Sequence, residues 1–467
     1  MVRRIITIIF LALTINAYAT TFQVGSSKPY VSPNALYTSN VVQAGDTIEI
    51  DGETYTGTAT LAVWNKNNLF IIGVNGRPHL IADGTYILGK GIWVLSGNNI
   101  TVENVEFSDA SVPDNNGAGI RLDGMGLTVR HCYFHENETG ILTNNNGGDI
   151  LIEFTEFDHN SYGDGFSHNL YIGHVNSLTF RFNYSHHAVE GHNLKSRANE
   201  NYIYYNRIMD EETGASSRLI DLPNGGYSIV MGNLLMEGEN SPNSNLVGYG
   251  QEGLSNPGPH EFYFINNTLV NKRIASGLYV DIDGQPDVVN IINNIFAGPG
   301  TLTNGPITTF DHNLVETVIA DVGFVDEANF DYHLISNSPA IDYGIEVDPV
   351  NGSSLTPEFG YLHPVDSETR SLNGTIDAGA YEYATSTAIL DLQDPDVLMY
   401  PNPTQGKLDV ITQRSISAVL VLDCNGRAVM TGQDTKSFEM PELPIGLYFV
   451  ALRFSDGSHV VKTLIKS

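Results

Sequence analysis

Short apolar strands recur along this chain at intervals of about 23 to 27 residues, and each is followed by an Asn, His or Gly turn. They include ITVENVEF at 100–107, LTVRHCYF at 127–134, ILIEFTEF at 150–157, LTFRFNYS at 178–185 and NYIYYNRI at 201–208. No helical periodicity separates them, so they are not strands of βαβ units. A propeller blade needs four strands and roughly 40 residues or more. The spacing instead fits one coil of three short strands, and predicts an all-β, right-handed parallel β-helix.

Asparagines recur at the same point of successive repeats, just after a strand. In stacked coils such positions lie directly above one another, so their amides can hydrogen-bond from coil to coil. The sequence therefore predicts an asparagine ladder at one bend of the β-helix. Its predicted members are Asn183, Asn206, Asn233, Asn267 and Asn294.

The chain divides into five predicted segments. Arg3 and Arg4, an apolar stretch and the Ala-Tyr-Ala ending at Ala19 are typical of a signal peptide, which predicts export. The β-helix repeat fades near residue 324, and the Asp- and Gly-rich stretch after it suits tight turns that cap an open end. The predicted segments are a signal peptide (1–19), the β-helix (20–324), a closing segment (325–383), a linker (384–398) and a small C-terminal β-sandwich (399–467).

The C-terminal segment carries a specific set of motifs. It reads YPNPTQGKLDV at 400–410, then ISAVLVLDCNGRAVMTG at 416–432, and ends LPIGLYFVALRFSDGSHVVKTLIKS. Residues 399–467 resemble the C-terminal sorting domain of the type IX secretion system. The resemblance implies that the type IX machinery is a partner and that the tail is removed. It also implies that the mature protein is secreted or anchored at the outer surface of the outer membrane.

Charge narrows the choice of partner. The chain has 23 Lys and Arg against 53 Asp and Glu, a formal net charge of −30. Binding of nucleic-acid phosphates needs a basic surface, so nucleic acid is not expected as a partner. Between residues 181 and 220, however, five basic residues balance five acidic ones. This local rise in potential suits an anionic ligand, and we expect a monomer that binds an acidic polysaccharide.

Two similar segments, SHNLYIG at 167–173 and GHNLKSR at 191–197, lie one predicted coil apart. Alternation along a strand then turns Leu170 and Leu194 inward and their polar neighbours outward. The other coils add candidates to the same outward face. The predicted substrate-binding residues are Arg121, Asn169, Asn193, Asp221, Tyr249 and Tyr279, and the predicted catalytic residues are Lys195, Arg197, Arg218, His192, His168 and Tyr171.

These residue types suit a polysaccharide lyase. Such an enzyme removes the proton on the carbon beside a uronate carboxylate, which requires the carboxylate charge to be neutralised. Lys195 is the predicted base, if a neighbouring cation such as Arg197 lowers its pKa. Arg197 or Arg218 would neutralise the carboxylate, and a tyrosine or histidine would protonate the leaving oxygen.

The segment EGHNLKSRANENYIYYN at 190–206 resembles a motif of the chondroitinase B and alginate lyase family of β-helix enzymes. The resemblance implies that Lys195 is the base and that Glu190 is a calcium ligand, with no other cofactor. Two departures stand out. Ala188 occupies the position of the family's second calcium-binding Glu, and the family's catalytic Arg aligns with Pro223, although Arg218 lies nearby.

Several alternatives remain open. The same proton abstraction serves a uronate C5-epimerase, and a hydrolase would need a carboxylate pair, whereas Asp123 and Asp221 lie several coils apart. A non-catalytic, carbohydrate-binding or adhesive solenoid is the non-enzymatic alternative. His168 and His192 share strand parity with core leucines, so they are equally well explained as buried turn histidines. His186 and His187 together with His192 are a further candidate, for a transition metal.

Overall fold

The computed structural model describes residues 19–273, 277–383, 397–423, 428–432, 436–439, 443–444, 446–455 and 459–466. Nearly all of the predicted signal peptide and of the linker lies outside these residues. The chain divides into two compact units, one ending at Tyr383 and the other starting at Ala384. No helix in the described part of the chain has the length and hydropathy needed to cross a membrane.

The first unit is a solenoid of three parallel sheets, and each coil contributes one strand to each sheet in turn. Sheet 1 has twelve strands: Thr21–Val24, Thr47–Asp51, Phe70–Val74, Ile100–Glu103, Leu127–Arg130, Asp149–Glu153, Ser177–Arg181, Glu200–Tyr204, Tyr227–Met231, Glu261–Ile265, Val288–Ile292 and Thr309–Asp311. Sheet 2 has eleven: Thr54–Thr56, His79–Ile81, Glu106–Ser108, Tyr133–His135, Glu156–Asp158, Tyr184–His186, Arg207–Met209, Leu234–Glu237, Thr268–Asn271, Ile295–Ala297 and Leu314–Glu316. Sheet 3 has ten: Ala62–Trp64, Gly91–Leu95, Ala118–Leu122, Thr139–Thr143, Leu170–Ile172, His192–Ser196, Arg218–Leu222, Asn245–Tyr249, Gly277–Ile282 and Gly300–Asn304. The predicted parallel β-helix is confirmed.

Inside the solenoid, residues of the same type stack on one another from coil to coil. Phe107, Phe134 and Phe157 are fully buried and stack at centroid distances of 5.0 and 5.1 Å. Near the N-terminal end, the helix Pro33–Ser39 inserts Leu36 into the same core. Burial of aromatic and branched side chains in this column is the main stabilising contribution, because each coil has too little apolar area to fold alone.

The asparagine ladder forms at the bend between sheets 1 and 2, as predicted. Each amide nitrogen donates to the next coil's amide oxygen, over 3.1 Å from Asn183 to Asn206 and 2.9 Å from Asn206 to Asn233. The ladder continues through Asn267 and Asn294 to Asn313. All six side chains are buried, so these bonds satisfy polar groups that water does not reach.

Residues 324–383 fold back along the outside of the solenoid. They contain two antiparallel pairs, Phe324–Asp326 with Asp331–Leu334 and Phe359–Leu362 with Asp366–Thr369, and the short 3₁₀ helices Ile319–Val322 and Glu327–Asn329 lie close by. Their apolar residues pack on the outer faces of sheets 1 and 2, as far back as Phe182 and Tyr184. The segment therefore does more than cap an open end, because the outer faces of these later coils are themselves apolar and need a cover.

One contact in this cover responds to pH. His333 lies between two carboxylates, with Nδ1 2.5 Å from Asp331 Oδ1 and Nε2 2.9 Å from Glu368 Oε1. Burial alone would lower the pKa of His333, but these two hydrogen bonds outweigh it and raise the pKa to about 9. The folded-state pKa thus exceeds the unfolded value, so the contribution to stability is complete below about pH 6.5 and is lost as the pH rises through about 9.

We therefore expect His333→Gln to cost stability at pH 6 and to cost little at pH 10. The expected loss at pH 6 is about 1 kcal/mol, since the side chain is more than one-third exposed and solvent screens the pair. Melting temperatures of the wild type and the variant at both pH values measure it. A gap between the two proteins that is the same at pH 6 and pH 10 would contradict the assignment.

The described residues of the second unit form two small antiparallel sheets. One contains Leu398–Tyr400, Lys407–Ile411 and Ser437–Glu439; the other contains Ala428–Gly432, Ile416–Asp423, Gly446–Phe454 and His459–Lys466. Leu408 and Val410 of the first sheet share a core with Val421 and Val450 of the second. This is the two-sheet packing of the predicted C-terminal β-sandwich.

Candidate functional site

A column of side chains runs along the outer face of sheet 3, one residue per coil. Strand register pairs Tyr171 with Lys195, Lys195 with Asp221, Asp221 with Gly248 and Gly248 with Asp281. Paired residues on adjacent parallel strands lie about 4.8 Å apart. The one-coil offset expected between the two similar segments is therefore confirmed, and it brings Tyr171, Lys195 and Asp221 together.

Asp221 is the centre of this column. Its carboxylate is buried and contacts three potential cations: Arg218 Nη1 at 3.0 Å, Lys195 Nζ at 3.3 Å and His192 Nε2 at 3.4 Å. Arg218 is one coil away from His192 in the register. A buried carboxylate with so many donors orients them all and offsets its own desolvation cost.

Glu252 covers this group from a turn that follows the strand Asn245–Tyr249. One carboxylate oxygen accepts from Lys195 Nζ at 3.0 Å, and the other lies 2.7 Å from Arg197 Nη2. Partial burial raises the pKa of Glu252, but the hydrogen bonds from Lys195 and Arg197 outweigh it and leave the pKa below its ordinary value. The glutamate side chain is 46 % exposed, whereas that of Lys195 is 12 % exposed. The two cations thus form a carboxylate-binding pair that a surface loop occupies.

Arg197 connects this pair to Tyr171. Its Nε donates to the Tyr171 hydroxyl at 2.8 Å, and its Nη1 donates to Asn224 Oδ1 at 2.6 Å. Because the Tyr171 oxygen accepts this bond, its own hydroxyl proton remains available to donate. Tyr171, Lys195 and Arg197 therefore face one small region of the surface.

His168 and His192 lie behind this region. They are buried and stack on each other with ring centroids 4.7 Å apart, and His168 Nδ1 accepts the backbone N–H of His192. Burial first, and then neighbouring charges such as that of Lys195, holds the pKa of both rings well below the ordinary histidine value. Both are therefore neutral at physiological pH. This makes them poor acids and fits the alternative that they are buried turn histidines.

Asn169 and Asn193 do not point outward as predicted. Both are fully buried in a second ladder, at the bend between sheets 2 and 3, which runs from Asn137 through Asn160 and Asn169 to Asn193 with amide contacts of 2.9 to 3.0 Å. Asn193 then donates to the buried Asp210 at 3.4 Å. The chain bends at this point, so two consecutive residues face inward and the alternation of the strand is broken.

Tyr249 and Tyr279 are also buried, contrary to the prediction that they face outward. Each hydroxyl donates to a backbone carbonyl of a neighbouring turn, at 2.6 and 2.8 Å. The outward positions on these coils are Gly248 and Asp281. Tyr249 lies one residue beyond the outward position, and Tyr279 occupies the same inward bend as the second ladder.

Arg121 belongs to the same column but lies two coils before Tyr171, with Leu142 between them. It is held by Asn144 and Asp123, at 2.5 and 3.4 Å. It therefore lies on the predicted face, but its contacts are with this upstream group and not with Lys195.

Glu190 is exposed and follows His187 on the turn between sheets 2 and 3. Calcium in proteins takes six to eight oxygen ligands, and Ala188 supplies none at the position of the family's second carboxylate. Glu190 belongs to neither of the two groups of converging His, Asp and Glu ligand atoms found among the described residues. Calcium binding at Glu190 therefore stays a prediction.

The sequence prediction missed the role of Glu252 and Asn224. Glu252 lies 57 residues from Lys195 in the chain and reaches it from a turn. Strand alternation does not predict where the side chains of turns point. The sequence therefore indicated only that Glu252 follows a strand that belongs to the same outward face.

Comparison with known proteins agrees with this architecture. Residues 59–215 match the family model described as a right handed beta helix region, and residues 398–467 match the secretion system C-terminal sorting domain. No curated protein matches the chain.

A solved structure of the pectate lyase Pel9A has a TM-score of 0.50 at 14 % identity, covering 79 % of this chain and 97 % of that one. A second, ORF18 of Geobacillus virus E2, has a TM-score of 0.35 at 12 % identity, covering 93 % and 82 %. The first likeness shows the fold. The chain is a right-handed parallel β-helix protein with a C-terminal sorting domain that indicates secretion.

Proposed function

We propose that this protein cleaves a uronate-containing polysaccharide by β-elimination at the face of sheet 3 that holds Lys195. One observation carries the proposal: the Glu252 carboxylate bridges Lys195 and Arg197 at 3.0 and 2.7 Å. A substrate carboxylate can take the place of this loop carboxylate, because it has the same charge and the same two-oxygen geometry.

The chemistry follows from that placement. A uronate carboxylate held by Arg197 loses much of its charge, which makes the proton on the adjacent ring carbon more acidic. Lys195, beside the same carboxylate, removes that proton as the neutral amine. The electron pair forms a carbon–carbon double bond, and the bond to the glycosidic oxygen on the next carbon breaks. Tyr171 gives its proton to the leaving oxygen, since its hydroxyl hydrogen is not used in the bond to Arg197.

Two further observations support a secreted enzyme of this class. The sorting domain indicates secretion, where extracellular polysaccharide is met. A solved protein with the same fold is a pectate lyase. When a substrate displaces Glu252, the charges left at the site are those of Lys195, Arg197 and Arg218 and the one anion Asp221. The site then has a net positive charge in an acidic protein, which attracts an anionic polysaccharide.

Incubating the protein with a panel of acidic polysaccharides tests the proposal. We expect chains with unsaturated uronate ends from at least one polymer, and a loss of at least a hundredfold in rate for Lys195→Ala. Lys272→Ala is the matched control, because Lys272 also pairs with a glutamate, at 3.7 Å, but lies just after a strand of sheet 2, away from sheet 3. Undiminished cleavage by Lys195→Ala would overturn the assignment of the base. Adding a chelator to the same assay tests the calcium dependence predicted from Glu190.

A non-catalytic glycan-binding role is the second candidate, and one observation favours it. Lys195 pairs with two carboxylates, Asp221 and Glu252, at 3.3 and 3.0 Å, an arrangement that serves anion binding without any chemical step. Binding to an acidic glycan with no change in chain length or sugar configuration would support this candidate. Inverted sugars without scission would instead support a C5-epimerase.

A further inference from the structure

A second polar cluster lies on the outer face of sheet 2. Asp158 and His186 end neighbouring strands and are paired in the register one coil apart. The residue after each is a histidine, His159 and His187, and both have a left-handed backbone conformation, with φ of 48° and 52°. Equivalent positions on stacked coils adopt the same turn, so the two histidines lie one above the other and their rings stack at 4.6 Å.

The ligand atoms of Asp158, His186 and His187 all lie within 4.8 Å of one another, and His159 joins this group through its contact with Asp158. Asp158 Oδ1 lies 3.1 Å from His186 Nδ1 and 3.7 Å from His187 Nδ1, and it also contacts His159 Nδ1. The Nδ1 atoms of His186 and His187 are 2.6 Å apart. Ligands of a tetrahedral zinc ion, at bond lengths near 2.0–2.1 Å, lie roughly 3.3 Å from one another. The observed separations bracket this value, and small side-chain rotations open the shortest one.

Residues around the cluster hold the ligands in place. His186 Nε2, the ring nitrogen turned away from the cluster, lies 3.2 Å from Glu156 Oε1. The Tyr133 hydroxyl donates to the other oxygen of Asp158 at 3.3 Å, and Tyr184 stacks on His186 at 3.8 Å. A carboxylate behind a ligating histidine fixes its tautomer and orientation, which is the usual support for histidine metal ligands.

We propose that Asp158, His159, His186 and His187 bind a divalent transition-metal ion of the Zn²⁺ type. Three imidazoles and one carboxylate suit zinc, copper or nickel, whereas calcium and magnesium prefer oxygen ligands alone. His192, suggested from the sequence as the third histidine, lies on sheet 3 and is replaced by His159. The His159 side chain is half-exposed and opens the site to solvent.

The bound ion links two adjacent coils and the turns that follow them. It lies on sheet 2, whereas Lys195 lies on sheet 3, so the site is separate from the proposed polysaccharide face. An ion that binds only the folded chain stabilises it by mass action. The site is therefore expected to stabilise the β-helix and not to take part in cleavage.

Titration of the chelator-treated, full-length protein with Zn²⁺ tests the proposal. We expect saturable binding in the micromolar range or tighter and a higher melting temperature, and at least a tenfold weakening of this binding in Asp158→Asn and His186→Ala. His187→Gln, at a partly exposed position, gives the same test with less risk to folding. With Cu²⁺, paramagnetic resonance is expected to show imidazole nitrogen coupling that is reduced in the histidine variants.

His333→Ala is the matched control, because His333 also contacts two carboxylates but belongs to no group of three converging ligand atoms among the residues that the structure describes. It is expected to retain the Zn²⁺ binding that Asp158→Asn weakens. His135→Ala alters the other group of converging ligand atoms, His79, Glu106 and His135, and so separates any Zn²⁺ bound there from the binding assigned to Asp158. Absence of Zn²⁺ binding to the wild type, or binding by Asp158→Asn and His187→Gln equal to the wild type, would overturn the proposal.

Discussion

Asn233→Ala is expected to destabilise the β-helix by about 3–5 kcal/mol. Asn233 is fully buried in the middle of the first ladder, where its amide accepts from Asn206 at 2.9 Å and donates to Asn267 at 2.9 Å. It also accepts the backbone N–H of Asn206 and donates to the carbonyl of Ile203. Alanine removes all four bonds, although Asn206 Nδ2 keeps its bond to Phe180 O and Asn267 Oδ1 keeps the backbone N–H of residue 233. At about 1 kcal/mol for each lost bond, and more for the buried N–H of Asn206 that loses its acceptor, the sum is about 3–5 kcal/mol.

Chemical denaturation measures this loss in the first unit selectively. The chain has two tryptophans, Trp64 and Trp93, and both are buried in the β-helix core. Their fluorescence therefore reports the β-helix and not the C-terminal unit, and circular dichroism follows the sheets as a whole. Asn240→Ala, at an exposed asparagine, is the control and is expected to change stability by about 0.5 kcal/mol or less. Equal losses for Asn233→Ala and Asn240→Ala would contradict the role of the ladder.

Asp221→Ala is expected to destabilise the protein by about 3–5 kcal/mol and to abolish acidic-glycan binding at the sheet 3 face. Asp221 is 1 % exposed and is the buried anion shared by Arg218, Lys195 and His192. Removing it leaves two partly buried cations without their carboxylate, which costs more than the loss of an exposed ion pair. Without Asp221, the side chains of Lys195 and Arg218 also lose the contact that aims them at the surface.

Asp281→Ala is the matched control for this change. Asp281 is buried in the same column, two coils further along, but its partners are the neutral amides of Asn245 and Asn304, at 2.6 and 3.1 Å. Loss of these bonds is expected to cost about 1–2 kcal/mol and to leave glycan binding near the wild-type level. Chemical denaturation and glycan-binding measurements on Asp221→Ala and Asp281→Ala test both expected differences, in stability and in glycan affinity. Glycan binding unchanged in Asp221→Ala would show that this column does not hold the ligand.

Two other buried carboxylates, those of Asp210 and Glu237 at the bend between sheets 2 and 3, have surroundings different from those of Asp221. Asp210 receives the end of the second asparagine ladder, and burial raises its pKa to about 6. Burial likewise raises the pKa of Glu237 to about 8, and among the described residues Ser241 donates to it. The hydrogen bonds given to these two acids come from neutral groups, whereas the side chains that contact Asp221 include Lys195 and Arg218.

Strand spacing was enough to predict the coil, the first asparagine ladder and the alignment of Tyr171, Lys195 and Asp221. Each depends on the number of residues between equivalent positions, and a solenoid converts that number directly into stacking. The errors lie where this rule stops. Asn169, Asn193 and Tyr279 lie at a bend, where two consecutive side chains face inward, and Tyr249 was placed one residue out of step.

Within a strand, stacking and alternation are local properties of the chain, so the sequence was sufficient to place mid-strand residues such as Tyr171, Lys195 and Asp221 on one face. What those residues contact depends on the folded protein. Glu252 reaches Lys195 from a turn more than one coil away, and His159 joins His187 because two turns adopt one conformation and stack. Residues 324–383 likewise cover the apolar outer faces of sheets 1 and 2, a contact between segments far apart in the chain. The directions of turns depend on packing against neighbouring coils, and the spacing of residues does not encode them.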